Sequence, residues 1–215
     1  MINKHLYLRI IGVATFSFLA VFAALAQENI VQPAYYRVAG VAANDVLNIR
    51  QTASAGSPVV GSLAPGAFPV EVIKTSDGWG YVASSEGMGW VSLHFLQQIS
   101  FAKFAQTNLP EGLNCGGTEP FWSLVMAGDK IAYSALGQAN STYSLVESGV
   151  AQNSGGTTSF VIGQNNGRPL TGIVSNQICS DGMSDIDYGR RIDLLISGPG
   201  GTSAFSGCCN VPVQQ

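Results

Sequence analysis

The feature that most constrains this chain is its punctuation. Apolar runs of strand length are cut off repeatedly by turn-forming residues, and no long helical period intervenes. Between residues 35 and 97 the runs are Tyr36 to Val41, Val46 to Arg50, Val59 to Leu63, Phe68 to Ile73, Trp79 to Ala83 and Gly89 to Leu93. Ala55-Gly56-Ser57-Pro58, Pro65-Gly66 and Asp77-Gly78 separate them, residue types that bring positive φ, a fixed φ or a local hydrogen bond to a turn. Five or six short strands over this stretch predict a small barrel. From Leu113 to Cys209 the candidate strands are Phe121 to Met126, Lys130 to Ala135, Thr142 to Val146, Thr157 to Ile162, Thr171 to Cys179, Arg191 to Ile196 and Thr202 to Cys208. Asn166-Gly167 is the dipeptide a two-residue hairpin favours. The expected fold class is all-β: a small barrel at 35–97, a connector at 98–112 whose Phe101 and Phe104 pack in part, and an antiparallel barrel or sandwich at 113–209.

The start of the chain is of another kind. Lys4, His5 and Arg9 precede an uncharged apolar run, Ile10 to Ala23, and Ala24-Leu25-Ala26 gives the small-x-small pattern of a cleavage site. Residues 1–26 are expected to be a signal peptide. The run is short for a bilayer span, so no stable membrane span is expected after cleavage; a retained anchor is the alternative. No Cys near the site offers an N-terminal lipid anchor. Removing these 26 of 215 residues leaves 189, with 8 basic against 13 acidic residues, a net charge of −5. That balance argues against nucleic acid as a partner and against docking on anionic lipid. The expected location is periplasmic or secreted.

All four cysteines, Cys115, Cys179, Cys208 and Cys209, lie in the second half. An even count in an exported chain reads as disulfides. There is no Cys-x-x-Cys, and after cleavage His94 is the one remaining His, so no metal site and no cofactor are expected. Cys208 and Cys209 are adjacent and would face opposite sides of a strand, each with its own partner; a direct bridge between them would be strained. Two pairings with Cys115 and Cys179 remain.

Leu47-Asn48-Ile49-Arg50, then Ser57-Pro58-Val59-Val60-Gly61-Ser62-Leu63 with Pro65-Gly66, then Trp79-Gly80-Tyr81-Val82, Gly87-Met88-Gly89-Trp90-Val91 and Phe95-Leu96 stand in order over about 60 residues. Together they resemble the bacterial SH3-like (SH3b) family. Gln51-Thr52-Ala53 departs from it where a Gly or Pro often follows the Arg. The resemblance implies a small barrel that binds cell-wall peptide or glycan, or docks on another envelope protein. Leu47, Ile49, Val60, Leu63, Val70, Val72, Val82 and Val91 are the expected core. One of Trp79 and Trp90 is expected in the core and the other beside Tyr36 or Tyr81 in a shallow aromatic groove; the bland alternative buries both tryptophans.

Cys115-Gly116-Gly117-Thr118-Glu119-Pro120-Phe121-Trp122-Ser123, Cys179-Ser180-Asp181-Gly182-Met183-Ser184-Asp185 with Tyr188, and Gly207-Cys208-Cys209 resemble a family of exported bacterial proteins of uncharacterised activity. The closing Gly-Cys of that family implies the pairing Cys179–Cys208, with Cys115–Cys209 as the added bridge. Phe121 and Trp122 should face opposite sides of a strand, one anchoring the core and the other packing under a loop. Glu119 would accept backbone N–H bonds at a barrel end or sit in a pocket mouth with Trp122, Asp181 and Asp185 around it. Asp181, Asp185 and Asp187 would cap turns; the order does not match an EF-hand calcium loop. Arg190 and Arg191 follow and would pair weakly with these acids.

Catalysis has little to stand on. The second half holds no His, no Gly-x-Ser-x-Gly elbow and no phosphate loop, so the residual options are His94 reaching across from the first domain or a carboxylate pair such as Glu119 with Asp181. The expectation is a non-enzymatic envelope binding or adaptor protein with peptidoglycan or an envelope protein as partner. The alternatives are a small-ligand carrier with a cavity beside Trp122, or a purely structural protein.

Overall fold

The computed structural model describes residues 32–198 and 200–211, so the expected signal segment lies outside the described residues. The N-terminal unit comprises β1 (Ala34–Val38), β2 (Leu47–Arg50), β3 (Val59–Leu63), β4 (Val70–Val72), β5 (Lys74–Ser76), β6 (Trp79–Ser84), β7 (Gly87–Ser92), a 3-10 turn at Leu93–Phe95 and β8 (Leu96–Ile99). Two sheets, ordered β4-β1-β8 and β3-β2-β7-β6-β5, enclose Val38, Leu47, Ile49, Val70, Val72, Val82 and Val91. Strict alternation in β2, β4 and β7 sends every second side chain inward. Asp77 and Gly78, at φ 47° and 82°, make the tight β5–β6 turn.

Val60 does not join this core; it is 39% exposed. Ile49 pairs with Gly61 and Arg50 with Val59, which leaves Val60 as the extra residue of a β-bulge. Val38 of β1 fills the core in addition to the expected positions.

The C-terminal unit is a closed barrel of eight antiparallel strands: β9 (Leu113–Thr118), β10 (Phe121–Ala127), β11 (Lys130–Ala135), β12 (Ser141–Val150), β13 (Thr158–Asn165), β14 (Arg168–Ser180), β15 (Asp187–Gly198) and β16 (Gly201–Asn210). Each strand pairs with its chain neighbours, and β16 returns to β9, an up-and-down order. Asn166 and Gly167 at φ 50° and 77° supply the two positive φ values of the expected hairpin turn. β9 is a strand that the pattern of apolar residues did not reveal. The interior is filled by Leu113, Leu124, Met126, Ile131, Val161, Leu170, Ile192 and Leu194 together with Trp122, Tyr133 and Tyr143.

Residues 98–112, expected as a connector, do more than connect. Gln98 and Ile99 finish β8, and Phe104 and Leu109 are buried in the barrel core. The Phe104 N–H donates to the Leu109 carbonyl at 2.9 Å, closing a compact loop. Backbone N–H groups of Gln106 and Asn108 donate to the hydroxyls of Ser148 and Ser159 at 3.2 Å, so the loop plugs one end of the barrel. Phe101 turns to the other unit, edge-on to Tyr35 at 5.0 Å and stacked with Phe68 at 5.8 Å.

The units meet at Gly189 and Arg190. A Cβ at Gly189 would collide with the Pro33 ring, so only glycine allows the approach. Arg190 donates to Glu71 Oε1 at 2.9 Å and to the Tyr35 hydroxyl at 2.6 Å. This corrects the expectation that Arg190 pairs with the nearby aspartates. Burial pushes the Glu71 carboxyl up, against the pull of Arg190, the Tyr35 hydroxyl and the Gly189 N–H; burial likewise raises the Tyr35 hydroxyl.

Candidate functional site

In the N-terminal unit, β6 and β7 turn Gly80, Val82, Gly89 and Val91 inward and leave Trp79, Tyr81 and Trp90 half-buried on the outer face. The register then lines residues up across the sheet. Arg50 pairs with Trp90, Trp90 with Tyr81, and Tyr81 with Lys74, a single row over β2, β7, β6 and β5. The rings of Tyr81 and Trp90 lie 5.0 Å apart, and Lys74 Nζ stands 4.1 Å from the Tyr81 centroid and 5.7 Å from that of Trp90. The result is an aromatic pair with a cationic residue at each end. Arg50 is held by donating to the Ser57 carbonyl at 2.8 Å. Burial, and then the negative charge of Asp187, raise the Tyr81 hydroxyl above its usual range.

Neither tryptophan is fully buried, contrary to the expectation that one sits in the core. Trp79 shares the face of Tyr81, one row over, opposite Ser92 and Ser76. Tyr36 is elsewhere: it lies in the other sheet, packed against the core, and does not join the aromatic face. Gly89 is required beneath the row, because a Cβ there would stand 2.9 Å from the Arg50 carbonyl. The row itself carried no sequence signal in Lys74, which sits alone among polar residues; only the register brings it to Tyr81.

In the barrel, the expected motif residues divide between structure and surface. Trp122 is interior, stacked with Tyr133 at 6.3 Å and tilted against Phe205 at 6.2 Å. Phe121, expected under a loop, is 51% exposed on the outer face. The glycines serve the tryptophan: a Cβ at Gly117 would collide with Trp122 Nε1, and one at Gly207 with the Gly116 carbonyl. Cys115 and Cys209 are direct partners in the β9–β16 ladder and form a disulfide that closes the barrel seam from inside. Cys179 and Cys208 form the second disulfide, on the opposite face of β16.

Asp181 caps its own loop. Its carboxylate accepts the N–H groups of Met183 and Ser184 at 3.0 and 2.9 Å and the hydroxyls of Ser184 and Tyr188 at 3.1 and 3.4 Å. Burial pushes its pKa up, but these donors outweigh it and hold the carboxyl below the usual range. Asp185 is exposed and abuts Gly87 of the other unit. Glu119 is exposed at the rim of a cleft of about 280 Å³ that also holds Asp181; no backbone N–H is bonded to it among the described residues. Arg191 pairs with Asp193 at 3.0 Å and donates to Ser206 at 2.8 Å, not with the loop acids. Among the described residues, no three His, Cys, Asp or Glu side chains are grouped to hold a metal ion, and no helix is long and apolar enough to cross a membrane.

Residues 45–97 match the bacterial SH3 domain family model. That span covers β2 to β7 and the first half of β8, and so includes all four residues of the row. No curated protein and no solved structure matches the chain.

Proposed function

We propose that this is an exported envelope protein whose SH3 domain binds cell-wall peptide, with no catalytic step. The observation that carries the reading is the Arg50–Trp90–Tyr81–Lys74 row. With strands about 4.8 Å apart, the two cationic residues stand roughly 14 Å from each other across an aromatic floor. Such a floor takes planar amides, and the flanking cations take carboxylates; a wall peptide carries both. Lys74 is itself exposed, so its contact with the rings contributes only about 0.5–1 kcal/mol and a ligand carboxylate can draw it aside. The two disulfides and the SH3 domain are compatible with an extracytoplasmic location.

The test is a nuclear magnetic resonance titration with soluble muropeptides. The indole N–H signals of Trp90 and Trp79 are expected to shift saturably while that of Trp122 stays still. Trp90→Ala should weaken binding at least tenfold, about 1.4 kcal/mol. Absence of any saturable shift at the SH3 indoles would overturn the reading.

A further inference from the structure

The two units touch at Gly189 and Arg190, and convex barrel walls that meet at one place leave a gap beside it. A cleft of about 230 Å³ opens there. The SH3 domain lines it with Leu63, Phe68, Val82 and Met88, and the barrel with Ile186 and Val211. Ile73 and Glu71 belong both to the cleft wall and to the contact. Ile73 Cγ2 stands 3.0 Å from where a Cβ at Gly189 would lie, and Glu71 accepts from Arg190.

We propose that this junction cleft binds a small organic amine, with an apolar body about the size of one ring and a single cationic head. The apolar body follows from the wall. The six side chains that line it from the two units are all apolar, and filling the gap between them removes that surface from water. Met88 among them is unbranched and adjusts to the shape of an occupant. The size follows from the volume. An apolar cavity of about 150 Å³ accepts benzene, so 230 Å³ takes one ring and a short tail, below the pockets of about 300 Å³ and more that hold larger ligands. The cationic head follows from the charges. Two acidic side chains line the cleft, Glu71 and Asp187, and no Lys, Arg or His does. Glu71 is answered by Arg190 at 2.9 Å. Asp187, half-buried at the start of β15, forms no ion pair among the described residues. A cation beside it gains an attraction that its partial removal from water strengthens, and an anion meets repulsion.

The experiment is a nuclear magnetic resonance titration of the purified protein at neutral pH with phenethylamine, beside phenethyl alcohol as its neutral counterpart and hydrocinnamate as its anionic one. The amine is expected to shift the backbone N–H signals of Met88, Ile186 and Val211 saturably and to bind at least tenfold more tightly than the alcohol, while the anion does not bind. Asp187→Asn should bring the affinity for the amine down to that for the alcohol and leave the alcohol unchanged, a pattern that misfolding does not produce. Ala83→Leu, which adds bulk at an exposed position of the cleft wall, should weaken both tenfold or more with the melting temperature retained. No saturable shift with the amine, equal affinity for amine and alcohol, an Asp187→Asn protein that still prefers the amine, binding untouched by Ala83→Leu, or shifts confined to the Tyr81–Trp90 pair would overturn the proposal.

Discussion

A guanidinium buried to 5% exposure needs lone pairs and a counter-charge within reach, and Arg190 finds both on the other unit in Glu71 and Tyr35. Replacing one partner of such a pair strands the other without water or charge, which costs about 3–5 kcal/mol. Arg190→Met should therefore lower the urea unfolding free energy by that amount, and the double change with Glu71→Met should recover most of it. Asp181 offers a second test. Its folded pKa is depressed, so its stabilisation is full above the unfolded carboxylate value and is lost as pH falls through the lower folded one. Asp181→Asn should flatten the acid limb of a stability-against-pH curve below about pH 4. Sequence proximity suggested that Arg190 and Arg191 serve the same acids. It failed for Arg190 because the true partner lies 119 positions away and is reached only through the glycine at 189.

At the scale of elements, turn chemistry and period carried most of the legible fold. Asn166-Gly167 and Asp77-Gly78 adopt the positive φ values their types favour, and alternation placed Leu47, Ile49, Val70, Val72, Val82 and Val91 inside. β9 was hidden because Leu113–Thr118 shows only Leu113 and Cys115 as apolar inward residues before its glycine pair. That pair answers a packing demand of Trp122 that no local pattern states. Gly207→Ala is expected to cost about 1–3 kcal/mol or more through overpacking at the seam, whereas Gly56→Ala, with open space around its Cβ, should stay within about 0.5 kcal/mol. The disulfides should rank by the loops they close. Cys115–Cys209 spans 94 positions and Cys179–Cys208 spans 29, so chain entropy gives about 4.7 and about 3.6 kcal/mol. Paired Ala replacements measured by chemical denaturation should reproduce that order.

At the scale of the whole molecule, an SH3 domain and a disulfide-closed barrel are fastened by Phe101, the Gly189 contact and the Arg190 cluster. The aromatic row and the barrel are thereby carried on one body. The candidate site was legible in its aromatic residues Trp79, Tyr81 and Trp90. Its cations and the misplacement of Tyr36 were not, because strand register decides both. The central claim is that the row holds the wall, and the most direct measurement is co-sedimentation of the purified protein with peptidoglycan sacculi, with Trp90→Ala and Lys74→Ala beside it. The account predicts saturable pelleting, reduced tenfold or more in Trp90→Ala and measurably in Lys74→Ala. Pelleting no greater than that of a non-binding control, or equal for all three proteins, would contradict it.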